Sequence, residues 1–184
     1  MPEISGAENG MRVIGLAGWS GAGKTTLLTR LIPHLVAEGL RVSTIKHAHH
    51  NFDVDVPGKD SWHHRQAGAT EVLVSSGRRW ALMHELRGAP EPSLRDLLVK
   101  MSPVDLVIVE GYKTDSHPKI EIYRAANGKG LLHPDDPAIV GIATDQAIDT
   151  GLPSVHLDDI PAVAGLVQAL AVNVAEVLTR EAVH

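Results

Sequence analysis

Eight residues restrict what this chain can fold into more than any others. Gly18-Trp19-Ser20-Gly21-Ala22-Gly23-Lys24-Thr25 fits G-x-x-x-x-G-K-[ST] at every fixed position. The flanking pattern agrees with it. Met11 to Ala17 carries the apolar run RVIGLA, which reads as a buried strand. Beyond the loop, Leu27, Leu28, Leu31, Ile32, Leu35 and Val36 recur at helical spacing, and Gly39 supplies a stop. A glycine-rich turn between strand and helix lets backbone N–H groups point inward at an anion, and the helix adds its positive end. Gly18, Ser20, Gly21, Ala22, Gly23, Lys24, Thr25 and Thr26 are therefore the expected phosphate-binding residues. Lys24 would reach the β- and γ-phosphates, and the Thr25 hydroxyl would bind Mg²⁺. The bland alternative is a glycine-rich turn that holds nothing.

The rest of the chain extends this pattern. Pro33 falls inside the first helix, where a proline costs about 3 kcal/mol, so a bend is expected there. Arg41 to Lys46 reads as a second strand, which makes a βαβ unit. Lys59 to Gly68 reads as a short helix capped by Asp60 or Ser61. Glu71 to Ser75 and Arg79 to Glu85 read as two strands joined through Ser76-Gly77. Ser93 caps a helix with the apolar face Leu94, Leu97, Leu98 and Met101. Leu106 to Val109, Ile120 to Tyr123 and Ala138 to Ala143 are further strands, with an Asn127-Gly128 turn between the last two. Asp159 and Pro161 open a last helix, with Val163, Val167, Leu170, Val174 and Val177 on one face. Alternating strands and helices predict an α/β fold of the P-loop NTPase kind: a largely parallel sheet flanked by helices, with antiparallel strands added at 72–85. Residues 1–10 are expected to be a flexible tail and 11–184 a single nucleotide-binding domain.

Composition narrows the function classes. The 184 residues carry a formal charge of −5 and no long basic run, so nucleic acid is not an expected partner. There is no cysteine, which excludes disulfides, thiolate metal sites and thiol nucleophiles. The N-terminal MPEISGAENG lacks the apolar region of a signal peptide, and no apolar stretch reaches the roughly 18 residues of a membrane span. A cytoplasmic protein is expected.

A phosphate loop needs an acid near its metal. Asp105 and Glu110 flank the strand at 106–109, roughly 16 Å apart at about 3.3 Å per residue. Ligands gather at the carboxyl ends of parallel strands, which selects Glu110. The guanine motif N-K-x-D is absent. Thr144-Asp145 follows a strand, and Asp145 could accept from the guanine N1 and N2 groups or could equally form a cap or turn. No second lysine stands near Trp19 or Ser20, which sets aside the dimeric ATPases that need one.

Five of the eleven histidines lie between His47 and His64. The segment leaves the second strand's carboxyl end, so it starts beside the loop. Lys46, His47, His49, His50 and Arg65 could meet a phosphate, a molybdate, a pterin phosphate or a partner. Imidazole with carboxylate could instead hold zinc or nickel. A polar surface loop is the third reading.

GWSGAGKTT, TIKHAHHNFDVDVPGKDSWHHRQAGA and DLVIVEGYK together resemble the molybdopterin-guanine dinucleotide biosynthesis family MobB, over roughly residues 11–145. The middle stretch is the most specific, since K-H-x-H-H…D-x-P-G-K-D-S is not a general feature of phosphate loops. The resemblance implies a GTP-binding homodimer with weak GTP hydrolysis and Mg²⁺. It also implies assistance to the guanylyltransferase MobA, which joins GMP to molybdopterin. By that resemblance Gly23, Lys24 and Thr25 hold phosphate and metal, and Asp60 and Glu110 lie at the metal or the attacking water. Competing readings are a non-catalytic adaptor presenting nucleotide or cofactor, a small-molecule kinase using Arg78, Arg79, Arg87 and Arg95 as a lid, and a nickel metallochaperone GTPase.

Overall fold

Apolar runs flanked by glycine and polar turns assemble here into strands and helices in alternation. The computed structural model describes residues 10–48 and 52–179. Its elements are β1 (Arg12–Ala17), α1 (Lys24–Ala37), β2 (Val42–Lys46), α2 (Asp60–Gln66), β3 (Glu71–Ser75), β4 (Trp80–His84) and α3 (Leu94–Lys100). After them come β5 (Leu106–Glu110), β6 (Lys119–Tyr123), a 3-10 turn (Ala125–Asn127), β7 (Ile139–Thr144), β8 (Ser154–His156), α4 (Ile160–Leu170), β9 (Val172–Asn173) and α5 (Val174–Thr179). The expected tail at 1–10 lies outside the described residues except for Gly10, and His49 and His50 lie outside them too.

The main sheet runs β2-β5-β1-β6-β7-β8 with parallel neighbours, and β9 adds an antiparallel pair with β1. Helices cover it on both faces, which is why β5 is apolar at Leu106, Val107, Ile108 and Val109 without alternation. Ile14 and Leu16 pack with Leu27, Leu31 and Leu35 of α1 and Val163 and Val167 of α4. Val13, Val107 and Val109 pack with Leu94 and Leu98 of α3 and Val174 and Val177 of α5. Leu31 and Leu35 are fully buried, each contributing roughly 1.5–3 kcal/mol. This is an α/β fold of the P-loop NTPase kind.

The chain packs as two compact units, Met1–His47 with Leu94–His184, and Ala48–Ser93. The second holds α2 and the antiparallel hairpin β3-β4, in which Leu73 pairs with Leu82 and Ser75 with Trp80. Its centre is Arg65. The guanidinium bonds Asp55 at 2.8 and 3.1 Å and Asp53 at 2.7 Å, and pairs with Glu85 at 3.5 Å.

Helix α1 runs through Pro33 to Ala37. Two local expectations change, and one strand is new. Asp60 is the first residue of α2, with extended Lys59 at the cap position, so neither Asp60 nor Ser61 caps it. Strand β8 has three residues, two of them exposed, too few to show a period. The last helix is two helices. Ala171 turns extended, β9 pairs with β1, and Asn173 Oδ1 accepts from Ala175 N at 2.9 Å to start α5. The helical spacing persists across the break, but its two halves bury on opposite faces of the sheet.

Candidate functional site

The loop at 18–25 leaves β1 at its carboxyl end and enters α1, and its glycines are there for steric reasons. Gly18 has φ 145°, and a Cβ on it would come 2.6 Å from the Ile122 carbonyl oxygen. Gly23 takes the helix cap position at φ 92° and offers no side-chain cap. Leu27 N is bonded to Gly23 O at 2.8 Å as the first helical bond. The N–H groups of Lys24, Thr25 and Thr26 precede it and have no place in the helical ladder. An anion on the loop is one partner that can satisfy such groups. Thr25 and Thr26 are exposed, and Ala22 is buried.

Lys24 Nζ donates to Gly18 O at 2.8 Å and Trp19 O at 3.1 Å. Burial lowers its pKa, Glu110 opposes this, and the charges of Lys113 and Lys46 add to it. Glu110 ends β5 in register with Leu16 of β1, and its Oε2 lies 3.8 Å from Lys46 Nζ. Lys24 thus has two further ammonium groups and one carboxylate near it, a local excess of positive charge that suits a polyphosphate. Asp105, at the opposite end of β5, is bonded to Arg41 through its backbone N–H at 2.7 Å and its side chain at 3.0 and 3.2 Å.

The residues after Glu110 are strained. Tyr112 has φ 50°, a left-handed conformation that costs a non-glycine residue about 1–2 kcal/mol. His47 is tied in here, its N–H donating to Glu110 O at 2.8 Å and its ring 4.9 Å from that of Tyr112.

A strap packs on the loop where the Asn127-Gly128 pair predicts a simple turn. Asn127 Nδ2 donates to Ser20 O at 3.2 Å, and Trp19 Nε1 donates to Gly130 O at 2.8 Å. Arg124, at the end of β6, lies against Gly23, where a Cβ would be 3.2 Å from its Nε. Its Nη2 is 3.8 Å from Asp158 Oδ1, which Arg30 already holds at 3.1 Å. The missed signal was position: Arg124 follows the strand next to β1.

Within the first unit the structure gathers Lys24, Lys46, His47 and Glu110. Asp60 is exposed in the second unit, together with His63 and His64. The carboxylates around Arg65 occupy the guanidinium that the sequence offered to an anion. Thr144 is buried, its hydroxyl donating to Gln146 O at 3.0 Å and accepting from Gln146 N at 3.2 Å. Asp145 Oδ1 accepts from Ala125 N at 3.0 Å, so one of its oxygens anchors the strap. Of the expected lid arginines, Arg87 bonds the carbonyls of Arg65 and Ala69, and Arg95 bonds that of Leu178. Among the described residues no three His, Asp or Glu side chains converge on a metal-sized site. No helix among them is long and apolar enough to cross a membrane.

Comparison with known proteins adds an independent finding. The family model for molybdopterin guanine dinucleotide synthesis protein B matches residues 13–145. The chain is 39% identical to the molybdopterin-guanine dinucleotide biosynthesis adapter protein of Haemophilus influenzae, over 87% of this chain and 89% of that one. It is 40% identical to the adapter protein of the same description from Escherichia coli, over 84% and 90%. The crystal structure of molybdopterin-guanine biosynthesis protein B (mobB) superposes with a TM-score of 0.65 at 25% identity, covering 86% of this chain and 99% of that chain.

Proposed function

The chain belongs to the molybdopterin guanine dinucleotide synthesis protein B family, and on that footing we propose that it is a GTP-binding adapter in the biosynthesis of this cofactor. One observation carries the nucleotide part. Uncapped N–H groups at the start of α1 meet Lys24, Lys46, Lys113 and Glu110 at the carboxyl ends of β1, β2 and β5. Gly18, Ser20, Gly21, Ala22, Gly23, Lys24, Thr25 and Thr26 would hold the phosphates.

The residues present fit a magnesium ion. Thr25 offers an exposed hydroxyl at the helix start, and Glu110 offers a carboxylate at a strand end. A bound Mg²⁺ would spread charge over the β- and γ-phosphate oxygens. Lys24 would leave the Gly18 and Trp19 carbonyls for phosphate, and Glu110, with Asp60 as the other acid, would orient water for slow hydrolysis. Asp145 keeps one carboxylate oxygen outside its bond to Ala125, available to a guanine N–H edge.

The partner part rests on the relatives' description as adapters. The protein would work in the cytoplasm beside the guanylyltransferase MobA, with Lys46, His47, His49 and His50 contacting cofactor or transferase. It would do so as a homodimer. Leu73, Trp80 and Leu82 expose an apolar face on the β3-β4 hairpin, opposite the buried Val72, and a contiguous exposed apolar face suits contact with a second copy. The test is dinucleotide formation by the transferase with and without this chain. The proposal expects a faster reaction that the His49→Ala, His50→Ala double variant loses while still binding GTP. Equal rates with and without the chain would contradict it.

A further inference from the structure

Beside the phosphate loop, in the first unit, lies a cavity of about 910 Å³. It begins at Ala17, Gly111 and Lys113 and runs between the 113–116 and 132–138 loops to the end of α4. That volume lies in the range of sites that enclose small organic ligands, roughly 300–1,000 Å³.

Its wall is built around Lys119, which is 2% exposed. Lys119 Nζ donates to Lys113 O at 2.9 Å, Asp115 O at 2.6 Å and Asp136 Oδ2 at 3.1 Å, so all three N–H bonds are used. Asp136 Oδ1 in turn accepts from Ala138 N at 3.0 Å. The buried ammonium therefore fixes both loops and leaves nothing for a ligand. Such an interlocked polar shell preorganises the wall it supports.

Asp115 is what remains. Its backbone is held at both ends, N–H to Tyr112 O and carbonyl to Lys119, but its carboxyl accepts no hydrogen bond among the described residues. Burial pushes its pKa up, against the pull of Lys119 and His47, as expected of an acceptor short of donors. Leu132, Val140 and Leu170 supply apolar walls, and Lys113 stands at the end nearest the loop.

Apolar walls, a carboxylate acceptor and an ammonium at one end match a heterocycle with an N–H edge and a phosphate. We infer that the cavity binds a phosphorylated ring of the fused 2-amino-4-oxopyrimidine class, pterin or guanine, with its N–H edge on Asp115 and its phosphate on Lys113. The inference rests on the adapter reading for that ring class. It goes beyond that reading in placing the ring in a cavity outside both the loop and the histidine segment.

The test titrates the full chain with two probes, 6-hydroxymethylpterin and GMP, and with Mg·GTP as a separate control. Two variants are compared with it: Asp115→Ala removes the acceptor, and Ala169→Trp fills the cavity from an exposed position. At least one probe is expected to bind once per chain and to weaken roughly tenfold or more in both variants. Loss of the pterin signal alone, with Mg·GTP unchanged, assigns the cavity to a pterin. Joint weakening of GMP and Mg·GTP assigns it to the guanine of the bound nucleotide. Unchanged probe binding in both variants, or no probe binding by a wild-type chain that binds Mg·GTP, overturns the inference and leaves the nucleotide reading standing. Failure of Mg·GTP alone counts against the nucleotide reading, and the pterin arm still decides the cavity.

Discussion

Lys24 donates its ammonium to the carbonyl oxygen of Gly18 at 2.8 Å, so the loop's lysine is bonded to the glycine that opens the loop. Burial disfavours that charge, two further lysines near it add to this, and Glu110 opposes it. A loop in this state is charged for an anion.

Glu110 and Asp60 are the two acids offered to metal and water. Glu110→Gln should lower Mg²⁺-dependent GTP hydrolysis more than it lowers GTP affinity, because the carboxylate would act on metal or water and hardly touch the phosphates. Asp60→Asn run alongside divides the role between them. Phosphate-release kinetics with separate binding measurements checks this, and wild-type hydrolysis in Glu110→Gln would remove it from the mechanism.

Arg124 reaches Gly23 from the end of β6, and among the described residues its guanidinium has only a 3.8 Å pairing with Asp158, which Arg30 holds more closely. Its guanidinium is available to a phosphate at the start of α1. A charge-assisted bond contributes about 1.5–3 kcal/mol, so Arg124→Ala should weaken GTP binding roughly tenfold or more, with Arg124→Lys in between. Identical dissociation constants for wild type and Arg124→Ala would reduce Arg124 to a structural partner of Asp158.

The hairpin's exposed Leu73, Trp80 and Leu82 predict self-association. Trp80→Ser with Leu82→Ser should shift the solution mass toward one chain while leaving GTP binding intact. Light scattering over a range of concentrations reads this out. A wild-type mass of one chain at all concentrations would rule the dimer out.

His117 is 1% exposed, and among the described residues neither ring nitrogen has a hydrogen-bond partner. Burial, aided by Lys119 and opposed by Asp136, holds its pKa at about 4. Between its ordinary value and that one, the unfolded chain takes up a proton that the folded chain refuses. Stability present above pH 6.5 is therefore lost as pH falls toward 4, by about 3 kcal/mol from this group. Denaturant titrations of His117→Leu should show a shallower fall across that window than wild type, and equal slopes would show that His117 is not buried neutral.

Much of this was legible in the sequence, for identifiable reasons. The strands around the loop are apolar runs bounded by turn residues, and the loop's spacing is set by phosphate geometry, so both survive as patterns. The contacts that shape the site are between distant residues and leave no local trace: Arg124 beside Gly23, Asn127 on Ser20, Lys119 beneath the 113–115 loop. Arg65 shows the converse. Its sequence neighbours made it look like an anion ligand, and only folding brings Asp53, Asp55 and Glu85 onto its guanidinium. The break between α4 and α5 was hidden because helical spacing cannot reveal which face of the sheet a residue joins.

The central claim, that Gly18–Thr25 holds a guanine nucleotide with magnesium, is tested most directly by titration calorimetry of GTP and ATP, with Mg²⁺, on wild type and Lys24→Ala. The account predicts one GTP per chain, weaker ATP, and a loss of roughly 10- to 150-fold in the variant, from charge-assisted contacts of about 1.5–3 kcal/mol. Wild-type GTP affinity in a folded Lys24→Ala protein, or equal affinity for the two nucleotides, would contradict it.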